Sequence, residues 1–191
     1  MKAVLRRTAC QLVYWAARGI MVLAVVHSLM LQNAQAEVAD FGADRYRVGV
    51  ATERFDDAWQ AEAAWDFRAP RRLRARRLEL ATGLIVTPDD TQGFVSLGPV
   101  WRLPTNAERA YIEFGFAPTL LTGSRIGEHD MGGVVHFTSS AEVGVTLDPQ
   151  RRAHLALRVK HISNGGLHSN NPGMDVVGLS FTYDLPFAYR F

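Results

Sequence analysis

Cysteine is almost missing from this sequence of 191 residues, and the single one, Cys10, excludes a disulfide framework and a cysteine-held metal cluster. After residue 36 no apolar run approaches the roughly 18 residues a membrane-crossing helix needs, which excludes a multi-helix membrane protein. Helical periodicity is scarce throughout. Disorder is excluded too, because 48% of the residues are hydrophobic, 10% are aromatic and the mean hydropathy is -0.04. The length suits one domain.

Acidic residues are absent from the first 36 positions, which hold Lys2, Arg6, Arg7 and Arg18. The apolar run Gly19 to Leu31 follows, and Ala34, Gln35 and Ala36 then give the small-x-small pattern of a signal peptidase site. Residues 1–36 therefore read as a signal peptide for export, and residues 37–191 as the mature domain. A membrane anchor is the competing reading, but the run is short and contains His27. Losing four of the 21 basic residues leaves 17 against 19 acidic ones, a formal charge of −2. The basic character belongs to the precursor, so no nucleic-acid partner is expected.

What the remainder has in abundance is alternation by twos. In the last stretch Val177, Leu179, Phe181, Tyr183, Leu185, Phe187, Tyr189 and Phe191 hold every second position. A soluble sandwich would cover such a face with a second sheet. A membrane barrel shows it to lipid and closes the sheet on itself, because hydrocarbon does not tolerate unpaired backbone groups. The strand length, the aromatics crowding its end and the terminal Phe191 favour the barrel, as in bacterial outer-membrane proteins.

Eight strands are predicted, near Arg45 to Glu53, Ala58 to Phe67, Arg74 to Val86, Gly93 to Leu103, Arg109 to Pro118, Gly133 to Leu147, Ala153 to Ser163 and Met174 to Phe191. The fold class is thus all-β, an eight-stranded antiparallel transmembrane β-barrel of the outer membrane. Val48, Val50, Trp59, Trp65, Leu78, Leu80, Leu97, Trp101, Phe114, Phe116, Phe137 and Val143 fall on the lipid-facing register. Arg47, Glu62, Asp66, Arg77, Glu79, Glu113, His136, Glu142, Arg158, Lys160 and Asp184 fall on the other, predicting a packed polar interior rather than a pore. Short turns near Ala69 and Pro70, Pro104 to Asn106, and Asp148 to Arg151 face the periplasm. The connections near Asp56, Thr87 to Gln92, Thr119 to Gly132 and Asn164 to Gly173 face outward.

Polar residues interrupt the lipid-facing register at one place. Leu155, Leu157 and Val159 continue by twos into His161 and Ser163, and the last strand, read back from Phe191, reaches Asp175. A His, a Ser and an Asp thus share the lipid side near the outer rim of neighbouring strands. Alternate strand residues lie about 7 Å apart, close enough for an imidazole to serve a hydroxyl as base, with a carboxylate fixing its tautomer. The loop from Asn164 to Gly173, rich in amides and glycines, offers oxyanion donors. A hydrated rim that is polar without purpose is the alternative.

The stretch KHISNGGLHSNNPGMD, Lys160 to Asp175, resembles the PagL family of outer-membrane lipid A 3-O-deacylases, and the likeness extends through the terminal strand. The resemblance implies that His161 is the catalytic histidine and Ser163 the nucleophile, with Asn164 following it as in the family's H-x-S-N motif. It also implies that Asn171 is the oxyanion-hole asparagine. The family's acid is usually Glu; here Asp175 stands in its place, one methylene shorter. Hydrolysis of the acyl ester at the 3 position of lipid A, with no metal or other cofactor, is the implied reaction. Two rival readings remain: a non-enzymatic structural or adhesive barrel with a degenerate site, and a soluble lipocalin-like carrier.

Other features read more plainly. Arg68, Arg71, Arg72, Arg74, Arg76 and Arg77 form a basic cluster around the periplasmic-side turn at Ala69 and Pro70; binding of inner-leaflet phosphates is one reading, and a solvated, interfacial role is the one expected. His136 and His154 are expected inside as members of the polar network. His129 and His168 lie in loops near Glu128, Asp130 and Asn170 without the convergent spacing of a metal site. Met131 and Leu167 read as loop-packing residues.

Overall fold

The structure is a computed structural model that describes residues 43–53, 57–150 and 152–185. The predicted export signal, the tip of the connection near Asp56 and the terminal Pro186 to Phe191 lie outside the described residues.

Alternation produces strands here because each pleat sends neighbouring side chains to opposite faces. The strands are β1 (Arg45–Glu53), β2 (Trp59–Arg68), β3 (Arg77–Val86), β4 (Thr91–Leu103) and β5 (Ala110–Leu121), a two-residue hairpin of β6 (Arg125–Ile126) and β7 (His129–Asp130), then β8 (Val135–Thr146), β9 (Ala153–Ser163) and β10 (Met174–Asp184). The eight long strands form one closed antiparallel barrel in the order β1-β10-β9-β8-β5-β4-β3-β2. Closure is the pairing of β1 with β10, from Arg45 opposite Asp184 to Glu53 opposite Val176.

Three boundaries depart from expectation by three residues or more. The last strand stops at Asp184 because Asp184 already faces Arg45, the first residue of β1; one more backbone bond, Leu185 N–H to Asp44, ends the ladder. Arg74 to Arg76 are not strand: a 3-10 turn at Arg71–Leu73 leads to Arg74 in the left-handed region at φ 49°, and pairing starts at Arg77 opposite Arg68. β5 runs on to Leu121, three residues past the expected Pro118, so the following loop starts later and folds its own hairpin.

The wall is apolar outside. Leu97, Leu120, Val143, Leu157 and Leu179 are each about half exposed, and Phe114 and Phe116 nearly so. Inside, the charges pair. Arg45 lies among Asp66, Glu113, Glu142 and Asp184 at 3.4 to 3.8 Å. Arg47 reaches Glu62, Glu79 and Glu142, Arg158 reaches Glu79 at 2.9 Å, Arg77 reaches Asp66 and Glu113, and Lys160 meets Glu62. A polar inside with an apolar outside is the inverse of what a soluble lipid carrier needs.

The expectation of a wholly polar interior needs correction. Towards the rim opposite Arg45 and Asp184 the inward positions turn apolar, and Ile85, Phe94, Leu121, Ile162, Met174 and Val176 pack with Ala58. The long loop between β5 and β8 adds Ile126 and Met131 to this plug. Apolar burial here stoppers the lumen and gives the loops above it a floor.

Arg45 is the residue on which the polar layer turns. Arg45→Met removes one cation from among four carboxylates, and we expect it to lower the unfolding free energy by about 3–5 kcal/mol, measured by urea titration in detergent micelles.

Candidate active site

The site grows from the register of β8, β9 and β10. In β9 the buried residues are His154, Ala156, Arg158, Lys160 and Ile162, so the intervening Leu155, Leu157, Val159, His161 and Ser163 face outward. His161 lies directly opposite Asp175 on β10 and Ser139 on β8, and Ser163 opposite Phe137. One row deeper, Val159 faces Val177, so the polar group begins where the apolar wall stops.

His161 Nδ1 and Asp175 Oδ1 are 2.8 Å apart, with the side chains 50% and 76% exposed. A pair this close on the outer surface fixes the imidazole: Nδ1–H donates to the carboxylate, and Nε2 is left as the free nitrogen. The aspartate reaches although it is a methylene short, because the two residues are cross-strand neighbours. Ser163 is half-buried on the same face, and its hydroxyl makes no hydrogen bond among the described residues. Beside it, Phe137 stacks on Phe116 with ring centroids 5.7 Å apart, an apolar flank on the outer wall.

Asn164 follows the serine and turns inward, fully buried. Its Nδ2 donates to the carbonyls of Met131 at 3.1 Å and Asn170 at 2.7 Å, and its Oδ1 accepts from Gly166 N–H. His136 Nε2 bonds the same Met131 carbonyl, and Asn170 Nδ2 donates to the Asp130 carbonyl. The two long loops are therefore tied together under the site. Gly132 allows it: at φ +73°, a Cβ there would stand 2.1 Å from the Asn170 carbonyl and 2.6 Å from Asn164 Nδ2.

Asn171 is exposed, and its Oδ1 accepts the Asn164 backbone N–H at 3.0 Å. That bond settles the orientation of the amide, since a backbone N–H needs an oxygen opposite it. The Asn171 Nδ2 donors have no partner among the described residues. The Asn164 N–H, by contrast, is already engaged.

Sequence reasoning missed Gly173. It sits at φ +70°, and a Cβ built on it would lie 2.9 Å from His161 Cε1 and 3.6 Å from Nε2. Only hydrogen fits against the imidazole. The loop histidine His168 packs on Gly133 across the two loops, while His154 bonds Thr146 and Asp184 in the interior.

Comparison with known proteins agrees with this geometry. The chain is 28% identical over 173 residues to the lipid A deacylase PagL of Bordetella bronchiseptica, covering 86% of this chain and 93% of that one. A crystal structure of the outer membrane enzyme PagL superposes with a TM-score of 0.57 at 18% identity, covering 74% of this chain and 99% of the other, which shows the shared fold. The family described as lipid A 3-O-deacylase (PagL) matches residues 44–184. That match runs from the residue before β1 to the last residue of β10, so the whole of this barrel, and not a fragment of it, belongs to the lipid A 3-O-deacylase (PagL) family.

Proposed function

We propose that Ser163, His161 and Asp175 form the triad with which this outer-membrane barrel cleaves the ester holding an acyl chain at the 3 position of lipid A. Lipid A deacylation follows from family membership. The residue roles rest on one observation above all, the 2.8 Å contact between His161 Nδ1 and Asp175 Oδ1 on the outer wall beside Ser163. Polar groups on a lipid-facing wall are costly, so their grouping asks for a use. The two longest connections, residues 122–134 and 164–173, stand on the rim that carries the site, which supports reading that rim as the outer one, where outer-leaflet acyl esters lie. Export by a cleaved signal peptide, residues 1–36, belongs to the same reading.

Ser163 Oγ attacks the ester carbonyl while His161 Nε2 takes its proton, and the imidazolium is held by Asp175. Serine and imidazole share the outward face of β9 two residues apart, and catalytic contacts of this kind commonly tighten only on binding. The negative charge on the carbonyl oxygen falls to the free Nδ2 donors of Asn171. Asn164 orients: it anchors the loop and aims Asn171 through its backbone N–H. Collapse expels the sugar oxygen with the proton from His161. Water, deprotonated by the same imidazole, then cleaves the acyl-serine and frees the fatty acid. The stacked Phe116 and Phe137 offer the departing chain an apolar flank.

Mass spectrometry of lipid A from cells producing the protein tests this directly. The wild type should remove one 3-hydroxyacyl group and Ser163→Ala none; identical spectra would instead support a non-enzymatic barrel. Asn171→Ala should lower the rate by about 10² to 10³ with the fold intact by heat-modifiable gel migration. Gly173→Ala should cost on the order of 10² in rate, since its methyl displaces the imidazole, and a rate within twofold of wild type would remove Gly173 from the site.

A further inference from the structure

We infer that the rim opposite the proposed catalytic site carries a second, non-catalytic site, one that binds the phosphate of an anionic phospholipid from the inner leaflet. The connection between β2 and β3 places Arg71, Arg72, Arg74 and Arg76 on the surface, and none of them forms an ion pair among the described residues. Between this turn and the one joining β4 to β5 lies a cavity of about 610 Å³. Arg74, Arg76 and Arg102 line it against a single carboxylate, Glu108.

The cavity is built rather than loose. Arg102 Nε donates to Glu113 at 2.6 Å, and its guanidinium lies 4.3 Å from the centre of the Tyr111 ring; its other guanidinium nitrogens form no hydrogen bond among the described residues and face a ligand. The Arg76 backbone N–H is fastened to the Val100 carbonyl at 2.9 Å, and Arg74 holds a left-handed conformation that turns the chain back over the cavity. Partial burial, and then repulsion from Arg102 and Arg77, pull the Arg76 guanidinium below its ordinary pKa, against a smaller upward pull from Glu113 and Asp184.

The shape of the surroundings selects a lipid. Trp101 and Leu103 line the same cavity and lie on the outward register of β4, so the cationic hollow opens onto the apolar wall. An indole and a leucine beside planar guanidinium donors match a headgroup phosphate whose acyl chains run along the barrel. The two longest connections, residues 122–134 and 164–173, stand on the other rim, which supports reading this one as periplasmic, against the leaflet made of phospholipid.

The purified protein, reconstituted in vesicles of equal parts phosphatidylglycerol and phosphatidylcholine, is released into detergent, and its retained lipids are read by native mass spectrometry. We expect phosphatidylglycerol to be retained in clear excess, with the excess falling by about tenfold or more in Arg74→Ala/Arg76→Ala, at roughly fivefold for each charge. Lipid A deacylation should continue in that variant, which separates this site from the proposed triad, and heat-modifiable migration reports its folding. Should the double variant not fold, the wild type still decides: its preference must shrink as salt rises from about 0.05 M to about 0.5 M. Equal retention of the two lipids by the wild type overturns the proposal. So does full displacement of phosphatidylglycerol by millimolar inorganic phosphate, which would make this a free-anion site.

Discussion

Inside a hydrocarbon layer a backbone N–H or C=O has no partner except another backbone, and that constraint decides the form of this protein. The chain meets it by joining β1 to β10, so that each of the eight long strands has a neighbour on both sides. Closure then forces a division of side chains. Every second residue goes to lipid and the rest go into a lumen too narrow to stay wet. The charges of the inner register answer one another for that reason, with Arg45, Arg47, Arg77, Arg158 and Lys160 set among Glu62, Asp66, Glu79, Glu113 and Glu142.

The same division makes the proposed wall-mounted site workable. A catalytic group on a flexible loop would need its own scaffold, but His161 and Asp175 are cross-strand partners and their spacing is that of the sheet. The apolar plug beneath supports the loop that carries Asn171, through the bonds Asn164 makes to Met131 and Asn170. Interior packing, loop tie and outer surface are thus one continuous arrangement.

Parity carried much of this from the sequence. Counting by twos from Leu155 places His161 outward, and it does face outward because nothing interrupts β9 over its eleven residues. The distal plug was harder to foresee: Ile85, Leu121 and Ile162 each sit on an inward position of their own strand, but that they converge depends on which strands meet across the lumen. The end of β10 was hidden because alternation persists past Asp184 while its partner strand has run out. Asn164 reads as part of an oxyanion motif, and its buried place between two loops is a tertiary fact no spacing encodes. Gly173 left only the signal of a glycine in a loop of glycines.

On the proposed roles, the outward placement of His161 has a consequence for how substrate and product travel. A site on the outer wall is reached by sideways diffusion within one leaflet, so saturation would depend on the mole fraction of the target lipid among its neighbours rather than on any bulk concentration. A liberated fatty acid would depart into the same leaflet, never crossing the plugged lumen, and would compete there with fresh substrate for the strip of wall beside Phe116 and Phe137.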